Sequence, residues 1–213
     1  ALGTLVLGVL PLTAASAATH SPARRPAVLT IGKTGGTAVK VGAILKASLK
    51  RGTTAGFTSP GTTNGVTCKQ SSFTDKVVRN PSSPGFAIEK LTGQSFAKCT
   101  SKGIGGVVGV KAVAVVGLPY RTSVSGAGKH QIVLFKARTK LTLKTVIGTI
   151  DCTYGAARVK GLFVNRGNLN VFKDQVFSLV SGSAACPKKG NFSATFGPVK
   201  DFSVRNHPRV FVN

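Results

Sequence analysis

The chain has no methionine and no tryptophan, only two tyrosines and three histidines, and five acidic residues against 29 lysines and arginines. Each shortage excludes something. With no tryptophan and two tyrosines there is little to stack on bases, which argues against a dedicated single-strand nucleic-acid reader. Paired carboxylates for glycoside hydrolysis would have to come from Asp75, Glu89, Asp151, Asp174 and Asp201. The internal echo described below suggests only Glu89 with Asp174. Five isolated acids in so basic a chain read more simply as ion-pair partners. His20 and His207 lie near the ends, which leaves His130 as a triad histidine, and no G-x-S-x-G elbow supplies its serine. Gly103-Ile-Gly-Gly-Val-Val-Gly109 misses the register of a dinucleotide loop and precedes a strand-like segment, so it reads as a plain loop. The expected reading is therefore a non-enzyme, with no cofactor and no metal.

Long apolar runs are also scarce. The first residues, Ala1–Leu10, are apolar, and Ala15-Ser16-Ala17 fits a signal-peptidase site. A bilayer span needs about 20 apolar residues, so residues 1–17 read as the end of a secretory signal. No later segment is long enough for a transmembrane helix. Residues 18–27, with two prolines and the Arg24-Arg25 pair, read as a flexible arm suited to partner contact. Residues 28–213 are left as the folded domain of a secreted, extracellular protein, with cell-wall association in view.

Four cysteines in an exported chain imply two disulfides. Zinc would need clustered C-x2-4-C pairs or nearby histidines, and neither occurs. The two halves of the chain echo one another. Gly65-Val-Thr-Cys68 leads through Gln94-Ser-Phe96 to Cys99-Thr-Ser-Lys-Gly103. Ile147-Gly-Thr-Ile-Asp-Cys152 leads through Gln175-Val-Phe177 to Cys186-Pro-Lys-Lys-Gly190. The echo favours Cys68–Cys99 and Cys152–Cys186.

No stretch of ten residues carries a good helical period. Short alternating runs between Gly, Pro and Asn turns predict an all-β fold, a single sandwich or barrel-like domain with an internal two-fold echo. Predicted strands include 37–49, 65–69, 74–78, 86–92, 111–117, 131–137, 140–146, 149–154, 161–165 and 171–180. Phe73, Phe96, Phe163, Phe177, Phe192 and Phe196 are the expected core.

The surplus charge, formally +24, attracts polyanions. One segment organises it. Lys136, Arg138, Lys140 and Lys144 share strand parity, with Phe135, Ala137, Leu141 and Leu143 on the other. An extended conformation lines four cations along one face over an apolar underside. This predicts a binding module for an anionic surface polymer or an acidic protein, without sequence-specific nucleic-acid reading. The same lysines also serve to keep an edge strand from aggregating.

Gly65-Val-Thr-Cys68, Leu91-Thr-Gly-Gln-Ser-Phe96, Gly117-Leu-Pro-Tyr120, Gly148-Thr-Ile-Asp-Cys152-Thr-Tyr154 and Phe192-Ser-Ala-Thr-Phe-Gly-Pro198 resemble small secreted actinobacterial proteins rich in Gly, Thr, Ser and Val. The chain departs from that group in its charge. Some small secreted actinobacterial proteins are adaptors in antibacterial toxin particles. The resemblance therefore implies, as an alternative role, a structural adaptor contacting other secreted subunits.

Overall fold

The structure is a computed structural model that describes residues 25–213. The predicted signal and most of the predicted arm, including Arg24, lie outside the described residues. Fourteen strands follow in order: β1 Leu29–Ile31, β2 Thr37–Ala38, β3 Ile44–Ser48, β4 Ala55–Thr58, β5 Gly65–Arg79, β6 Phe86–Lys102, β7 Val107–Val115, β8 Tyr120–Ser125, β9 Gln131–Thr145, β10 Gly148–Val164, β11 Leu169–Gly182, β12 Lys189–Phe196, β13 Lys200–Asp201 and β14 Val210–Val212. The fold is all-β, as the alternation predicts.

Antiparallel pairing runs β5–β6–β8–β9–β10–β11–β12–β4 and returns to β5, closing a barrel. Closure removes the long unpaired edges that invite aggregation. A small sheet, β14–β1–β2, brings the ends of the described chain together. There the Asn213 side chain donates to the Ala27 carbonyl at 2.8 Å, and Ser83 N–H donates to the Pro26 carbonyl. Pro26 and Ala27, predicted as the end of the arm, are thus tied to the body.

Several long strands were expected as pairs of short ones. The cause lies at the barrel's waist, where inward and outward positions exchange. Two successive residues face outward there in each long strand: Lys69-Gln70, Ala97-Lys98, Ala157-Arg158 and Lys173-Asp174. In β9 the exchange occurs at Lys136. Lys98, Lys136 and Asp174 adopt left-handed backbone conformations, with φ of 53°, 56° and 49°. An alternation read along the sequence stops at such a point, although the hydrogen-bonded strand continues through it. The opposite error occurs at 37–49, which breaks in two at a turn around Gly42 (φ 89°).

Aromatic rings fill the barrel. Phe73 meets Phe196 edge-on at 5.4 Å, Phe57 lies 4.9 Å from Tyr154 and 5.4 Å from Phe177, and Phe96, Phe192 and Phe172 continue the series. All six predicted core phenylalanines point inward, with Phe96 and Phe192 half-buried at the edge of the cluster.

Both disulfides form as the echo favours: Cys68–Cys99 and Cys152–Cys186. Closing loops of 31 and 34 residues stabilises by roughly 3.5–4 kcal/mol each in the chain-entropy account. The echo does not extend to their geometry. Cys68 and Cys99 are direct cross-strand partners in β5 and β6, whereas Cys186 lies in the loop after β11 and reaches back to β10. Among the described residues no helix is long and apolar enough to cross a membrane.

Candidate polyanion-binding face

The left-handed turn at Lys136 decides what the outer face of β9 presents. From Lys136 onward the predicted alternation holds: Ala137, Leu141 and Leu143 are buried, and Lys136, Arg138 and Lys144 are exposed. Before it the parity reverses. Phe135, expected beneath the cations with the apolar set, instead lies among them on the outer face. Arg121 of β8 stands 5.3 Å and Arg158 of β10 6.0 Å from its ring centre, within reach of a cation–π attraction.

The four predicted ridge residues are not equivalent. Lys136 and Arg138 line a surface groove of about 630 Å³, together with Arg121, Phe135, Tyr120 and Pro119. Lys140 is already matched, with its ammonium 2.7 Å from the Asp151 carboxylate. That carboxylate also accepts a 2.6 Å bond from Thr142. The Lys140 and Thr142 hydrogen bonds hold the Asp151 carboxyl below its ordinary range. Lys144 is exposed farther along β9, beyond the groove. Arg25 is exposed at the start of the described chain. The structure thus brings two of the four ridge cations into one groove and sets the other two apart.

Strand register reveals a different and stronger arrangement. Lys76 of β5 is the direct partner of Lys90 in β6, and Lys90 is the direct partner of Arg121 in β8. The row continues across Phe135 to Arg158, its partner in β10. Lys76, Lys90, Arg121 and Arg158 are all exposed. At about 4.8 Å per strand the row spans roughly 19 Å across the barrel wall. Like charges directly opposite on neighbouring strands are destabilising. Three in succession, with no carboxylate paired to them, form a surface that an anion would relieve. No sequence spacing foretells this row, because its members are far apart in the chain and only register unites them.

The remaining acids are placed otherwise than expected. Lys140–Asp151 is the one ion pair involving an acid among the described residues, so the reading of the acids as ion-pair partners holds for Asp151 alone. Asp174 lies exposed at its bulge and accepts from Ser193 at 3.2 Å. Asp201 is buried, and its carboxylate accepts from Ser203 N–H at 2.8 Å. Glu89 is buried inside the barrel, away from Asp174, so the pairing suggested by the echo does not form. Its carboxyl neighbour is Asp75, diagonal to it across β5 and β6. His130 ends the turn that leads into β9, with its Nδ1 buried and unpartnered. Asn191-Phe-Ser193, which fits the N-x-S pattern of a glycosylation sequon, lies within β12. No group of three or more His, Cys, Asp or Glu side chains suited to a metal occurs among the described residues.

No protein-family model, no curated protein and no solved structure matches the chain.

Proposed function

We propose that the chain is a secreted, non-enzymatic binding module whose cationic outer face holds an anionic cell-surface polymer. One observation carries this reading: Lys76, Lys90 and Arg121 stand in direct cross-strand register and continue through Phe135 to Arg158. Mutual repulsion is the cost of that row in the free protein. A polymer with repeating negative charge offsets it at several points at once, and the groove beside Lys136 and Arg138 gives the polymer a bed. Two disulfides support an oxidising, extracellular setting.

Binding of this kind depends steeply on salt, with a slope in log K against log salt of about 1 per neutralised contact. Retention on immobilised heparin and on purified cell-wall polymer, measured across a salt series, tests it. Replacing Lys76, Lys90, Arg121 and Arg158 together by glutamine should lower the eluting salt and flatten the slope by about 3–4. Unchanged retention and slope would sink the assignment. A stoichiometric protein partner captured from culture supernatant and retained in high salt would replace it with the adaptor role.

A further inference from the structure

The barrel wall has a seam. On one edge β9 pairs with β7 from Thr139 onward and with β8 up to Leu134, so residues 135–137 have no ladder partner there, and Arg138 keeps one bond, its carbonyl accepting from Val116 N–H at 3.1 Å. Tyr120 closes the gap. Its hydroxyl donates to the Val116 carbonyl and accepts from Arg138 N–H at 2.9 Å. Behind it lies a cavity of about 80 Å³, open part-way to the surface. Phe96, Phe172 and Phe192 form much of its wall; Asp75, Gln94, Thr122, Thr139 and Asn170 interrupt that apolar lining, and Tyr120 and Arg138 stand at its outer side.

The polar atoms are the unusual part. Asp75 Oδ1, Thr122 Oγ1 and Asn170 Oδ1 are buried and have no hydrogen-bond partner. Asp75 and Thr122 keep only 6% and 5% of their surface exposed. Buried polar atoms are nearly always satisfied, and each one left unmatched is costly. Glu89 adds a second carboxyl. It is the direct cross-strand partner of Thr122, and it shares with Asp75 and Asn170 a smaller void that adjoins the cavity. Two of the chain's five acids therefore lie inside the barrel, and no Lys, Arg or His pairs with either among the described residues.

We propose that this cavity binds a small primary alkylammonium. Its nitrogen would donate to Asp75, Thr122 and Asn170, and its alkyl group would lie against the phenylalanines. Three unmatched oxygens on one cavity, one of them a carboxylate's, call for a group that brings three donors and a positive charge, which is what an R–NH3+ head supplies. The aromatic wall favours the same charge through cation–π attraction. A hard metal ion fits poorly, since calcium takes six to eight oxygen ligands and most of the wall is hydrocarbon. Water would occupy the acceptors but leave the carboxylate charge uncompensated. The volume admits about three non-hydrogen atoms, the size of ethylammonium. Tyr120 and Arg138 line both this cavity and the outer groove, so the route inward passes the tyrosine.

This inference does not depend on the polymer-binding face. The test is a titration of the disulfide-intact protein with ethylammonium chloride at pH 8.5, followed by amide chemical shifts. Saturable shifts at Thr122 and Asn170 are expected, with a dissociation constant near 1 mM, about the limit for so small a ligand. Asp75→Asn keeps the side chain's shape and should weaken binding at least tenfold. Thr122→Val, a second isosteric change, should weaken it several-fold, and n-hexylammonium should not enter. The proposal is overturned if sodium or calcium chloride at matched ionic strength gives the same shifts, which marks an inorganic-cation site. It is equally overturned if no saturable shift appears, which leaves a water-filled cavity, or if Asp75→Asn binds as well as the parent.

Discussion

The two sides of one wall carry opposite electrostatic problems. Outside, Lys76, Lys90 and Arg121 repel one another in register, but water and salt soften the repulsion, because exposed charges are screened over about 10 Å at 0.1 M salt. Inside, Asp75 and Glu89 are buried diagonal to each other, and no cation pairs with either among the described residues. Burial pushes the Asp75 carboxyl up to about 7. It pushes Glu89 well above its ordinary value, and the neighbouring Asp75 charge pushes it further. The outer surplus thus responds to ionic strength, while the inner one responds to pH and to whatever occupies the cavity. A formal charge of +24 hides this division, since it sums over both sides of the wall.

The largest effect expected belongs to the interior. For both acids the folded-state pKa lies above the unfolded one, so the unfolded chain loses its protons first as pH rises. Stability should fall from about pH 4 to about pH 7 as Asp75 ionises in the unfolded chain but not in the barrel. Glu89 should extend the decline to higher pH. Each group contributes a slope of about 1.4 kcal/mol per pH unit within its window. Urea unfolding across that range should show the decline, and the Asp75→Asn, Glu89→Gln double variant should abolish it and be the more stable protein by a few kcal/mol at pH 8. A parent stability that climbs over the same interval would contradict the assignment.

A smaller effect of mixed sign is expected outside. Lys90 lies between Lys76 and Arg121, so Lys90→Gln should stabilise the fold by about 0.2–1 kcal/mol while weakening polymer retention. Thermal unfolding and heparin elution on the same variant read both signs, and loss of stability would mean the row is not repulsive. The smallest effect concerns the matched pair. Asp151→Asn frees Lys140 and should raise the eluting salt slightly, whereas Lys140→Gln bares the Asp151 carboxylate and should lower it, by less than Lys136→Gln does. Equal losses from Lys140→Gln and Lys136→Gln would show that Asp151 does not neutralise its partner.

Much of the scaffold was legible in the sequence. Turn residues and alternation gave the all-β class, and the repeated Cys, Gln-x-Phe, Cys order gave the disulfide pairing. Alternation misled where the waist turns two successive residues outward, because a two-residue period carries no signal through a phase change. It also passed over β8, whose Arg121-Thr-Ser-Val-Ser125 is largely polar and is ordered by its neighbours on both edges. The candidate face was half visible. Lys136 and Arg138 lie close in sequence and in space, but the Lys76–Lys90–Arg121 row exists only once register is known. The acid pair was hidden for the same reason: Asp75 and Glu89 look like ordinary surface charges until two strands turn them to the same side.

The pairing of β1 with β14 has a mechanical consequence. Leu29 lies opposite Val212 and Ile31 opposite Val210, so tension applied through the two ends of the described chain meets these pairs one after another, like the teeth of a zipper. An anchored molecule pulled from its other end should yield first in this small sheet. The crosslinked barrel would feel the load only after those few bonds had parted.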